Sequence, residues 1–180
     1  FNKNKNDIFI INTITNKSVS YGEFLQKTNN LIGYFRSLNL RHGDKILIQR
    51  NNSEEYLILF LASCLGGFSV LPIDPEINQE RLDIIKKTIQ FDLIIDNKFK
   101  FKFKNNYKNN FFLKKHDFLL ISSSGTQSDI FKALLFDSNT FLKSALSFSK
   151  LTKFNKKNIL LHCLPMFYMA GILNTFFSSI

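Results

Sequence analysis

Apolar positions in the first half of the chain alternate between helical spacing and short continuous runs. A capping box at Ser20 and Glu23 precedes apolar residues at helical spacing, which predicts a helix that ends near Leu38. A second helix is predicted after Ser53, with acidic residues in its first turn, and Gly66 ends it. A third helix is predicted at residues 79–89, and buried strands are predicted at 45–49, 68–73 and 91–95. This alternation predicts an α/β fold with a largely parallel sheet flanked by helices.

The second half of the chain continues the pattern with shorter apolar segments. A helix capped by Ser138 or Asn139 is predicted to run to about Leu151, and a truncated helix is predicted after residues 164–171. Further strands are predicted at 118–121, 132–136 and 158–163.

Residues 98–104 alternate strictly between lysine and phenylalanine, which predicts a two-faced strand at a sheet edge. The formal net charge of +10 and the aromatic residues within this basic segment leave an alternative open, a nucleic-acid or anionic-surface binding module formed by residues 98–115. The positive charge is almost entirely lysine, however, and lysine is accompanied by many Asn, Ile and Phe residues along the whole chain. This composition indicates an AT-rich genome, and arginine, the usual residue for phosphate and guanine recognition, is scarce. A solvated edge strand is therefore favoured.

The cysteines and histidines predict neither a disulfide nor a metal site. Cys64 and Cys163 lie far apart on apolar segments, which favours two small core residues in a reducing, cytoplasmic setting. The three histidines are scattered without metal-ligand spacing, so no metal-binding residue is assigned. We expect neither a signal peptide nor a membrane span. Because the chain begins without Met and ends in apolar sequence, we expect it to be part of a longer protein.

A loop rich in small hydroxyl residues separates the predicted strands 118–121 and 132–136. Its sequence, SSSGTQSDIFK, offers backbone N–H groups and hydroxyls to an anion, Gly125 permits a sharp turn, and Lys132 adds a positive charge. The loop is not a Walker loop, because Ile130 stands where the second glycine of that motif is needed. On these residues alone it is either an ordinary polar turn or a phosphate-binding loop.

Four segments, in order, resemble the N-terminal part of the adenylate-forming enzymes, which include acyl-CoA synthetases, aryl-CoA ligases and the adenylation domains of nonribosomal peptide synthetases. The hydroxyl-rich loop is similar to the family's "TSGTTGxPKGV". The other three segments are SYGEF followed by LRHGDKILI, similar to "TYxEL" and "GxxxGDxVxI"; LASCLGGFSVLPIDP, similar to "LKAGAxYVPIDP"; and LPMFYMAG, similar to "LPLFHxxG". Together they extend from Ser20 to Gly171, which is most of the chain.

The resemblance implies that the hydroxyl-rich loop closes over the β- and γ-phosphates of ATP and that Lys132 is its catalytic cation. Compared with the family motif, this loop carries one extra residue before its lysine, Ser128 replaces Gly, Phe131 replaces Pro, and Ala133 replaces the Gly after the lysine. These departures remove a fixed bend and some flexibility, and they favour, as an alternative, a non-catalytic homologue. The implied phosphate-binding residues are Ser123, Ser124, Gly125, Thr126, Gln127 and Ser128.

The same resemblance implies that Met166, Phe167 and Tyr168 line the acyl side of the site. Many acyl-CoA ligases carry His at the position of Tyr168, near the substrate carboxylate. Tyr keeps an aromatic ring and a hydroxyl but does not become cationic near neutral pH. Plain packing is the alternative role for this ring.

For the whole chain, the resemblance implies the N-terminal part of an AMP-binding domain, residues 1–180, without the small C-terminal lobe. The implied enzyme is an acid–thiol ligase that uses ATP and Mg²⁺ to form an acyl-adenylate. It then transfers the acyl group of a small carboxylic acid to coenzyme A or to the pantetheine of an acyl carrier protein. The Mg²⁺ ligands are expected beyond this chain, and the chain alone is expected to be inactive.

Overall fold

The fold is seen in a computed structural model that describes residues 4–98, 101–103, 117–122, 131–155 and 157–179. Five helical segments are present in these ranges: α1 (Tyr21–Ser37), α2 (Glu54–Leu65), α3 (Gln79–Thr88), α4 (Ser138–Thr152) and a π-helix (Ala170–Phe177). The strands are β1 (Ile8–Ile11), β2 (Ser18–Ser20), β3 (Lys45–Gln49), β4 (Ser69–Ile73), β5 (Leu93–Ile95), β6 (Phe101–Phe103), β7 (Asp117–Ser122) and β8 (Ala133–Asp137).

Six of the strands form one mixed sheet in the order β6-β5-β3-β4-β7-β8. The four central strands are parallel, and the two outer strands, β6 and β8, pair antiparallel to their neighbours. This arrangement confirms the predicted α/β fold with a largely parallel sheet. It also agrees with the predicted edge strand in residues 98–104, since β6 is the last described strand on its side.

Both faces of the sheet are buried, and alternate residues of β3 and β5 belong to different cores. Ile46 and Ile48 of β3 face the larger core, which contains residues of α1, α2, α4 and the π-helix. Leu47 faces the smaller core, which contains Leu82 and Ile85 of α3. Because side chains alternate along a strand, the continuous apolar run at residues 46–48 contributes to both cores, as expected for a parallel sheet covered on both faces.

Side-chain caps define where four helices begin. Ser20, Ser53 and Asn78 accept hydrogen bonds from the first-turn N–H groups of α1, α2 and α3. For α4 the predicted cap was wrong: Asp137, rather than Ser138 or Asn139, accepts a hydrogen bond of 3.0 Å from the N–H of Thr140. A carboxylate also interacts favourably with the helix dipole at this end, which explains the earlier start.

The strand predicted at 158–163 was wrong. Residues 158–163 adopt no regular structure, and Ile159 and Leu161 are 94% and 72% exposed. A strand needs a neighbour for its backbone groups, and no described strand pairs with this segment. Apolar composition alone therefore misassigned it.

The cysteine prediction was also only partly right. Both cysteines are free, Cys64 is partly buried, and Cys163 is exposed rather than part of the core. Burial raises the pKa of the Cys64 thiol, so this side chain stays protonated beside the larger core. Cys163 is exposed because the segment that carries it does not join the sheet.

The N-terminal hairpin of β1 and β2 was not predicted. It packs on α1, where Phe9 contacts the rings of Tyr21 and Phe24 with centroid distances of 4.6 and 4.9 Å.

None of the described helices has both the length and the apolar character needed to cross a bilayer.

The aromatic cluster around Phe60 generates a stability prediction. Phe60 is fully buried, and its ring lies within 6.2 to 6.4 Å of the rings of Tyr56, Phe176 and Phe177. Phe60→Ala removes these contacts and leaves a cavity, so we expect the free energy of unfolding in urea to fall by about 3 to 5 kcal/mol. The matched control Leu146→Ala, at a position that is 62% exposed, is expected to change it by less than about 0.5 kcal/mol. Equal losses in both variants would contradict the assigned core.

Candidate functional site

The β7–β8 hairpin frames the hydroxyl-rich loop. Ser122, the last residue of β7, pairs with Ala133, the first residue of β8, so the two ends of the loop meet at one end of the sheet. Lys132 directly precedes Ala133 and its side chain is exposed. Ligands of open α/β sheets bind outside the carboxyl ends of the parallel strands, which is where the loop leaves β7. The predicted phosphate-binding residues 123–128 lie outside the described residues.

The predicted substrate-side residues share one turn but have different exposure. Met166 is 1% exposed and belongs to the larger core. Tyr168 is 56% exposed, and its ring centroid lies 4.5 Å from that of Phe167. The N–H of Tyr168 donates to the carbonyl of Pro165 over 3.2 Å and closes the turn. The turn therefore has an anchored side at Met166 and an open aromatic side at Phe167 and Tyr168.

Two side chains at the start of α2 hold this turn, and the sequence analysis missed both. Asn52 donates to the carbonyl of Leu164 (2.8 Å) and accepts from the N–H of Met166 (3.0 Å). The Tyr56 hydroxyl donates to the carbonyl of Met166 (3.4 Å), and burial raises its pKa, so it remains a protonated donor. The sequence near Asn52 signalled only a helix start, since nothing in it points to a partner more than one hundred residues away.

A histidine also contacts the turn. Nε2 of His162 lies 3.1 Å from the carbonyl oxygen of Leu164, and the Thr175 hydroxyl lies 3.3 Å from the same nitrogen. Desolvation is the main cause that lowers the pKa of His162, which favours the neutral imidazole near pH 7. A neutral ring protonated on Nε2 donates to Leu164.

Gly171 permits the close approach of the turn and the π-helix. A Cβ atom at this position would collide with the carbonyl oxygen of Pro165. Only glycine therefore fits at the end of the LPMFYMAG segment without moving the turn.

Strand β7, which leads into the loop, and the turn 164–168 contribute to one core although they come from distant parts of the sequence. Phe118 of β7 packs on Phe141 of α4, and Phe141 packs on Phe177 of the π-helix, both with centroid distances of 5.1 Å.

Within the described ranges, no group of three or more His, Cys, Asp or Glu side chains is arranged to hold a metal ion.

Comparison with known proteins places the chain in a family. The family model described as "AMP-binding enzyme" matches residues 1–117. The 2-succinylbenzoate–CoA ligase of Haemophilus influenzae is 24% identical over 169 residues, which is 92% of this chain and 36% of that protein. The nonribosomal peptide synthetase sirP of Leptosphaeria maculans is 30% identical over 83 residues, which is 46% of this chain and 4% of that protein.

Solved structures with the same fold include ATP-bound MatB from Rhodopseudomonas palustris, with a TM-score of 0.78, 16% identity and coverage of 97% of this chain and 41% of that one. Another is o-succinylbenzoate CoA synthetase from Bacillus subtilis, with a TM-score of 0.71, 17% identity and coverage of 91% and 48%. The chain thus spans less than half the length of each of these proteins. Since the family model matches residues 1–117 of 180, the chain belongs to the AMP-binding enzyme family.

Proposed function

We propose that this chain supplies the triphosphate-binding part of an ATP-dependent ligase that activates a small carboxylic acid as an acyl-adenylate. The acyl group then passes to a thiol, either coenzyme A or the pantetheine of a carrier protein. Relatives named as a CoA ligase and as a nonribosomal peptide synthetase support these two acceptors. Since the chain spans 36% of the Haemophilus ligase, the full activity requires more polypeptide than this chain provides.

The single observation that carries the proposal is the pairing of Ser122 with Ala133. This pairing brings Lys132 to the same end of the sheet as Ser122, the residue from which the loop leaves β7. An ammonium group beside a set of backbone N–H groups and hydroxyls can bind the β- and γ-phosphates together. The ATP-bound state of the structurally similar MatB supports the choice of nucleotide.

The chemistry requires positioning more than covalent participation by the protein. A carboxylate oxygen of the substrate attacks the α-phosphorus of ATP, the bond to the β-phosphate breaks, and pyrophosphate leaves. Lys132 and the loop 123–128 stabilise the charge that develops on the leaving pyrophosphate. Phe167 and Tyr168 form an apolar and aromatic wall for the acyl group.

Departures from the family motif limit how strongly the loop is expected to close. Ser128 and Phe131 stand where the family motif has Gly and Pro, and the loop carries one extra residue. A longer loop without a fixed bend loses more conformational entropy when it closes on phosphate. These departures favour weak ATP binding, and in the extreme case a non-catalytic homologue.

The role of Lys132 predicts the effect of its removal on ATP binding. Lys132→Ala deletes one charge-assisted contact, worth about 1.5 to 3 kcal/mol, so we expect the Kd for ATP with Mg²⁺ to rise at least about tenfold. The matched control is Lys143→Ala, an exposed lysine on α4, which is expected to leave the Kd within about twofold. Calorimetric titration of each variant measures the change. Equal affinity in Lys132→Ala and the unsubstituted chain, or no ATP binding by either, would overturn the assignment of the loop.

The limited span of the chain predicts its behaviour in a turnover assay. We expect no carboxylate-dependent release of pyrophosphate from the 180-residue chain, because it lacks more than half of the related ligase. Release is measured with ATP, Mg²⁺ and a panel of aliphatic and aromatic acids. Release well above the rate without acid would contradict the prediction and show that these residues suffice for adenylation.

A further inference from the structure

We propose that Asn52 is a positioning residue that fixes the turn 164–168 on the start of α2 and thereby sets the location of Tyr168 beside the acyl substrate. The inference rests on the proposed function for the substrate only. The two hydrogen bonds that Asn52 makes to this turn form a clamp. This clamp is a property of the fold and can be measured without an assay of enzymatic activity.

The geometry of the clamp uses both ends of one primary amide. Nδ2 of Asn52 donates to the Leu164 carbonyl over 2.8 Å, and Oδ1 accepts from the Met166 N–H over 3.0 Å. The two bonded residues are two positions apart, so the side chain pairs with the turn as a neighbouring backbone would. A flipped amide would face its N–H₂ group to an N–H donor and its oxygen to a carbonyl, so the contacts allow one orientation.

A primary amide satisfies both contacts at this position, whereas a carboxylate or a methyl group does not. Aspartate keeps an acceptor for the Met166 N–H, but an ionised carboxylate has no proton to donate to the Leu164 carbonyl. Alanine removes both partners, and the part-buried N–H of Met166 then loses its hydrogen bond. The chemistry at Asn52 is therefore specific, although its side chain is exposed and lies outside α2.

The clamp is attached to the start of α2, which is itself held by hydrogen bonds and burial. The next residue, Ser53, caps α2 by accepting from the N–H of Tyr56 over 3.1 Å. Tyr56 is 1% exposed and its hydroxyl donates to the carbonyl of Met166. The turn is thus bonded at Leu164 and Met166 to the beginning of one buried helix, and it moves only when these bonds open.

The clamp positions the exposed side of the turn, which carries Tyr168. Met166 is buried and bonded through both its N–H and its carbonyl, whereas Tyr168, two residues later, is 56% exposed. The Tyr168 N–H and carbonyl are bonded to Pro165 and Ile172, so its backbone follows the anchored part. Asn52 acts on Tyr168 through this turn and does not itself contact substrate.

Amide hydrogen exchange, followed by NMR on the 180-residue chain, tests the clamp. We expect Asn52→Ala to lower the protection of the Met166 amide at least about tenfold, while the Leu47 amide in β3 keeps its protection. Asn52→Asp is expected to fall between Asn52→Ala and the unsubstituted chain, since it keeps the acceptor. The matched control Asn51→Ala, an exposed neighbour, is expected to change neither amide. Unchanged protection at Met166 in Asn52→Ala overturns the proposal, and so does an equal loss at Leu47, which indicates a general stability role.

A second readout follows Tyr168 directly. The chain contains no tryptophan, so Tyr168→Trp introduces a single indole that reports on this turn alone. We expect time-resolved fluorescence anisotropy to show larger local motion of the indole when Asn52→Ala is added and no change when Asn51→Ala is added. Equal motion in all three proteins overturns the positioning role. Both readouts are independent of ATP binding, so a failure of the proposed function and a failure of the clamp give different results.

Discussion

The parallel pairing of β4 with β7 is the contact on which the location of the candidate site depends. Val70 pairs with Leu119, and the Ser69 hydroxyl donates to the carbonyl of Asp117 over 3.1 Å, so the last parallel strand joins the sheet in a fixed register. This register places the end of β7, at Ser122, and therefore the start of the hydroxyl-rich loop, at the carboxyl edge of the sheet. The β8 return strand then brings Lys132 back to the same edge.

Aromatic packing joins β7 to the π-helix that follows the turn 164–168. The rings of Phe118, Phe141 and Phe177 connect β7, α4 and the π-helix through contacts of 5.1 Å. Edge-to-face pairs of this kind add to the stabilisation that comes from hydrophobic burial of large side chains. At the other end of the turn, Asn52 and Tyr56 supply hydrogen bonds from α2. Non-local contacts thus fix the turn from two sides.

The helices and central strands could be predicted from the sequence because their signals are local. Capping residues such as Ser20 and Ser53, and the continuous apolar run of β3, act within a few residues of one another. The structure of segment 158–163 could not be predicted correctly from its apolar composition. A strand also needs a partner strand, and the composition of the segment does not show whether a partner is present. For the same reason Asn52 was missed: its two partners lie 112 and 114 residues away. The order and type of the site segments came from the resemblance to a family, and the phosphate-binding residues 123–128 remain a prediction.

The proposed triphosphate site requires the loop and Lys132 to bind phosphate as one unit. The most direct measurement is an NMR titration of the labelled chain with ATP and Mg²⁺ that follows the amides of residues 123–128 and the Lys132 ammonium group. Both sets of signals are expected to shift with one common dissociation constant. Shifts confined to the basic segment 98–104, with the loop and Lys132 unchanged, would contradict the joint phosphate site.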